Sequence, residues 1–161
     1  MESSAPESAA WAVDLRCRLD ELLDGYRVAL HDSLDDLTDE QARRRLVPSK
    51  TTLLGLLKHV TYVEGVWFDQ AVTGRSYKEI GIASTPDRSF TLTKSDTVAS
   101  VQAAYRRRCA VSRRAMTELT LDDGRGQRTV WAIYLQVLRE LAQHAGHADI
   151  LREQVLAGRS S

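Results

Sequence analysis

Residues 52–72 read TLLGLLKHVTYVEGVWFDQAV. Leu53, Leu56, Leu57, Val60, Val63, Val66 and Trp67 recur every three or four residues, the spacing of one apolar helix face. Pro48 breaks the chain before this run, Ser49 to Thr52 offer N-capping hydroxyls, and Gly74 stands where a helix can end in a left-handed turn. The spacing predicts a helix over about 52–72. His59 interrupts its apolar face, on the same side as Leu56, Val63 and Val66. An imidazole there needs partners, because an unpaired polar group in a core costs about 1–3 kcal/mol.

The same period recurs on both sides of this segment. Trp11, Leu15, Leu19, Leu22, Leu23, Tyr26, Leu30 and Leu34 predict a first helix over about 9–34. Thr38-Asp39-Glu40-Gln41 then has the form of a capping box. A third helix is predicted over about 97–119, with Ser95 and Asp96 as caps and Val98, Val101, Ala104, Tyr105, Val111, Ala115 and Met116 along it. Asp122 to Gly126 is a turn, and a fourth helix runs from Thr129 to about Leu156, stopping before Gly158. Between the second and third helices, Arg75 to Thr93 shows no sustained period; a connection of that length usually crosses a bundle or covers a site. No alternating run is long enough to build a sheet. The expected fold is all-α, a four-helix bundle with one long connection. A single domain is expected over 9–158, with a flexible 1–8 and a tail at 159–161.

Composition narrows the function classes. At about 150 residues per domain, 161 residues make one domain, large enough to fold without disulfides. Basic and acidic residues both number 22, so the chain lacks the positive excess that general nucleic-acid binding uses. A hydrophobic content of 43% excludes a disordered chain. Cys17 and Cys109 form no CxxC, which argues against a thiolate zinc site, and both are expected to be small buried hydrophobes. No apolar run approaches the roughly 20 residues of a membrane span, and the N-terminus lacks the basic and apolar regions of a secretory signal. A cytoplasmic location is expected, with no membrane or nucleic-acid partner; a homodimer through a bundle face is compatible with the pattern.

Histidine placement carries the chemistry. In Arg139-Glu140-Leu141-Ala142-Gln143-His144-Ala145-Gly146-His147, Glu140 and His144 are four apart and share a helix face, about 5–6 Å apart at Cβ. Ile133, Val137, Leu141, Ala148 and Leu151 place that face near the core seam. Two ligands from one helix and His59 from a facing one would leave a coordination position open, as in catalytic zinc sites. Two other readings stand beside it: a core histidine bonded to a carboxylate such as Glu140, and a solvated Glu140–His144 pair. His147, one turn on, is either a proton carrier at the site or a polar residue at the bundle end. His31 and the runs Arg43-Arg44-Arg45 and Arg106-Arg107-Arg108 read as solvated surface, since consecutive helical residues fan apart. Trp11, Trp67 and Trp131 read as core or interface aromatics, and Tyr62, one turn from His59, as core or pocket wall.

The stretch Leu53 to Val60 with Trp67-Phe68, and Glu140-x-x-x-His144-Ala145-Gly146-His147-Ala148-Asp149-Ile150-Leu151-Arg152, resemble the second and fourth helices of the DinB-like (DinB/YfiT) superfamily. The likeness is strongest to its DUF664 branch and covers about 15–158. It implies a four-helix bundle binding a divalent metal through one histidine of the second helix and two residues of the fourth: His59, Glu140 and His144. Many relatives have histidine in place of Glu140; mycothiol-dependent maleylpyruvate isomerase is similar in using a carboxylate there. His147 stands where many members have glutamine. The resemblance further implies a small thiol, such as mycothiol or bacillithiol, and S-transferase or isomerase chemistry on an electrophile. Zinc suits the donor set, and nickel, manganese and iron remain open. The readings of another class are a non-catalytic helical interaction module and a metal-binding protein without chemistry.

Overall fold

The computed structural model describes residues 14–158. The expected flexible start, Trp11 with the first part of the expected first helix, and the expected C-terminal tail lie outside the described residues. Helix α1 spans Leu15–Asp32 and begins where the Asp14 side chain accepts from the Cys17 N–H. The short α2, Asp39–Ala42, carries the capping box foreseen at Thr38 and Gln41. Helix α3, Leu53–Gly65, is capped by the Thr52 hydroxyl. It runs on through a π-helical turn, Val66–Gln70, into α4, Ala71–Thr73, and stops at Gly74 with φ 76°.

The connection that follows is not featureless. It forms two single turns, α5 (Tyr77–Ile80) and α6 (Pro86–Ser89), each started by a hydroxyl cap, Ser76 and Thr85. Helix α7, Val98–Thr117, is capped by Thr97 in a reciprocal pair with Ser100, not by Ser95 or Asp96. Asp96 is instead committed to the Thr93 N–H and to Lys58. The turn after α7 is a minimal hairpin, β1 (Gly124–Arg125) with β2 (Arg128–Thr129), too short to show alternation in sequence. Helix α8, Val130–Ala157, has 28 residues, roughly 42 Å at 1.5 Å per residue.

Helices α1, α3, α7 and α8 are the long ones, and each packs against two others: α1 and α3 both contact α7 and α8. This is the packing of an all-α bundle. Leu19, Leu23, Leu30 and Leu34 meet Leu53, Leu56, Leu57 and Val60, and Tyr105, Ile133, Val137 and Leu141, in one core. Two expectations fail at the margins. Leu15, at the start of α1, is 60% exposed, because the core ends below it. Trp131, read as a core or interface aromatic, is 45% exposed and so is not a core residue. Cys17 is exposed, on the outer face of the first turn of α1, whereas Cys109 is buried as expected.

Two glycines of α3 let the connection lie close against it. A Cβ on Gly55 would stand 2.9 Å from the Phe90 carbonyl, and one on Gly65 would stand 2.9 Å from Ile82. Charged groups fix the connection from several sides: Lys58 bonds the Thr91 carbonyl, Arg43 the Thr93 and Asp96 carbonyls, and Arg108 both Asp69 and the Ile80 carbonyl. Arg43 and Arg108, read in sequence as solvated, therefore clamp the segment that crosses α3. Among the described residues, no helix is long and apolar enough to cross a membrane.

Candidate metal centre

The bundle brings His59 of α3 up to Glu140 and His144 of α8. One donor atom from each residue lies within 4.8 Å of the other two. His59 is 6% exposed, and the other two are half-buried. The two imidazole rings meet edge to face, 4.7 Å between centroids at 79°. Glu140 is oriented through one carboxylate oxygen, which accepts from Gln136 and Arg139 at 3.0 Å each. Its other oxygen lies 3.5 Å from His144 Nε2.

His59 does not bond Glu140, as one of the metal-free readings required. Its Nδ1 is 2.7 Å from the Ser89 hydroxyl, and its ring stacks on Phe90 at 4.1 Å and 11°. Neither partner was foreseen, because both sit in the connection that lacks a period. The two close-contact glycines were the available signal that something covers α3 on either side of His59.

Electrostatics keep both rings of the cluster neutral near pH 7. Burial, helped by the nearby His144, pushes His59 down to about 4. Burial likewise lowers His144, with His147 adding to the effect and Glu140 opposing it. Both rings are thus neutral near pH 7, the form in which imidazole ligates a metal. His144 Nδ1 is buried without a hydrogen-bond partner, so whichever nitrogen holds the proton, this one is unpaired. Two neutral imidazoles and a carboxylate, each offering one donor atom within 4.8 Å of the other two, fit a divalent ion of borderline character such as zinc.

The remaining singled-out residues fall outside this set. His147 is exposed, its ring 5.6 Å from that of His144 at 65°. His31 sits on α1 with Asp32 at 2.8 Å on Nδ1 and Arg106 at 2.7 Å on Nε2, both ring nitrogens engaged. Tyr62 is buried, 6.0 Å from His59 between ring centroids, and burial near Tyr77 raises its phenol to about 12. It also lines a cavity of about 570 Å³ between α3, α7 and the connection, with Lys58, Ile82, Ser89, Asp96 and Val101. No member of the triad lines that cavity; Ser89 separates it from His59.

A family model described as mycothiol-S-transferase matches residues 18–157. No curated protein and no solved structure matches the chain. The match runs from the first turn of α1 to the end of α8 and takes in both helices of the triad. On that span, and in keeping with the likeness read from the second and fourth helices, the chain belongs to the mycothiol S-transferase family of the DinB-like superfamily.

Proposed function

We propose that this protein is a divalent-metal-dependent S-transferase that acts on a low-molecular-weight thiol, mycothiol being the one its family indicates, with His59, Glu140 and His144 as metal ligands. The observation that carries the reading is the set of three donors within 4.8 Å, two of them imidazoles kept neutral. A divalent ion held there would favour thiolate over thiol at neutral pH, and thiolate is the nucleophile.

The protein's own groups do the rest. His59 and His144 contribute no charge, so Glu140 alone would offset the ion, and a net positive centre remains to attract a thiolate. Gln136 and Arg139 hold one Glu140 oxygen, which leaves the other for the ion. His147 is the proposed proton carrier: it is exposed and adjacent to His144, so it can take a thiol proton and pass it to water. Neither cysteine serves as nucleophile in this scheme. Burial raises Cys109 to about 12, and Asp14 raises Cys17. Isomerisation through a thiol adduct would use the same groups, and the family match favours transfer. Zinc is the expected ion.

The test is mycothiol consumption against a panel of electrophiles, using zinc-loaded wild type, Glu140→Gln and His147→Ala. Wild type should consume thiol in step with electrophile, Glu140→Gln should lose that activity, and His147→Ala should retain it with an altered pH profile. Equal consumption by wild type and Glu140→Gln would contradict the scheme. Tight zinc binding without thiol consumption would favour a metal-binding protein without chemistry.

A further inference from the structure

Ser89 closes α6, in the connection across α3, and is 3% exposed. A hydroxyl has one proton to give, and here it goes to the Pro86 carbonyl. The Ser89 oxygen that faces His59 Nδ1 at 2.7 Å must then be the acceptor, so Nδ1 carries the imidazole proton. In a neutral ring that leaves the Nε2 lone pair as the only one able to bind an ion.

We propose that Ser89 is a positioning residue that fixes His59 as its Nδ1–H tautomer and so commits Nε2 to the metal; this rests on the metal reading above. The local structure supports such a role. Pro86 occupies the first turn of α6, and the Thr85 hydroxyl caps that turn through the Arg88 N–H. Phe90, the next residue, stacks on the His59 ring, and its carbonyl sits over the hydrogen side of Gly55 where a Cβ would collide. The hydroxyl and the ring plane are therefore set by the same short turn. The long connection acts on the site by orienting a ligand rather than by supplying one.

The test has two readouts on the same proteins. Two-bond proton–nitrogen NMR spectra of the metal-free protein report which nitrogen of His59 is protonated. Zinc affinity is measured by competition with a chromophoric chelator. Wild type should show Nδ1–H. Ser89→Ala should shift His59 toward Nε2–H and weaken zinc about 10–100-fold, as loss of a ligand's orienting partner typically does. Ser89→Thr should restore both. A purely structural hydrogen bond would move the melting temperature without moving the tautomer. An Nε2–H ring in wild type, readable even if Ser89→Ala does not fold, overturns the proposal, as does a Ser89→Ala protein with unchanged tautomer and affinity. If Ser89→Ala changes the tautomer but wild type binds no zinc, the metal reading fails, and the ligand-positioning role fails with it.

Discussion

Arg27 and Glu64, between α1 and α3, and the triad His59, Glu140 and His144, between α3 and α8, are both polar clusters in an apolar core, satisfied in opposite ways. Arg27 meets Glu64 through two bonds, 2.7 and 3.0 Å, with the Glu64 side chain 0% exposed. Its third nitrogen reaches Asp24, which Arg113 also bonds, and its guanidinium lies 5.6 Å from the Phe68 ring centre. Donors face acceptors, and the charges cancel within the chain. At the triad, two neutral rings and a carboxylate face one another, and a buried nitrogen has no partner. The first arrangement balances its charges within the chain, while the second gathers three donor atoms of the kind that hold a metal ion. Burial of charged or polar groups alone therefore does not mark a candidate metal site; three donor atoms gathered within 4.8 Å of one another do.

Breaking the ion pair should have the largest effect. Arg27→Ala or Glu64→Ala leaves a buried charge uncompensated and should cost about 3–5 kcal/mol in urea unfolding at pH 7. The double change Arg27→Met with Glu64→Leu should recover most of that and leave zinc binding intact. Recovery of stability with loss of zinc would join the two clusters and dissolve the contrast.

Acid should act on the triad next. His59 is depressed in the folded state to about 4, so the unfolded chain binds its proton first as pH falls. The stability tied to the neutral ring is present above the ordinary imidazole range and is lost progressively between about pH 6.5 and 4, roughly 3 kcal/mol in all. His144, also lowered, adds to the loss as pH falls below the ordinary imidazole range. Asp24 and Asp96, held below their usual range by Arg27, Arg113 and Lys58 against the cost of burial, add theirs only further down. Urea unfolding of metal-free wild type and His59→Ala between pH 7 and 4.5 separates these contributions. The same slope in both proteins would remove His59 from the account.

Zinc should act on one cluster and not on the other. At a hundredfold excess over its dissociation constant, zinc should stabilise wild type by about 2.7 kcal/mol. Neither His59→Ala nor His144→Ala should respond. The smallest effect is expected at His147, where alanine should change stability and zinc affinity by no more than about 0.5 kcal/mol, as an exposed residue outside the ligand set would. A tenfold loss of zinc affinity there would make it a fourth ligand.

The contrast also explains what could be read in the sequence. Helix stripes are legible because burial repeats every turn: Leu19, Leu23 and Leu30 mark α1, and Glu140 and His144 share a face of α8 simply by being four apart. His59 stood out as a ring among leucines and valines. Arg27 and Glu64 did not, because a charge on an amphipathic helix reads as solvated until its partner from another helix is known. Arg108 was misread for the same reason, its partner Asp69 lying on the π-helical turn. Ser89 and Phe90 have no period to betray them; Gly55, whose hydrogen makes room for the Phe90 carbonyl, was their one trace. Cys17 was placed by residue type, and the first turn of a helix, at the edge of the core, overrides that preference.

The central claim is that the triad holds a metal, and the direct measurement is elemental analysis of protein purified without chelator or nickel affinity, beside His59→Ala and His144→Ala. The account predicts about one zinc or similar divalent ion per chain, as three protein ligands around one ion require, absent from both variants. Wild type without metal, taking up none on titration with zinc, nickel, manganese or iron, would contradict it.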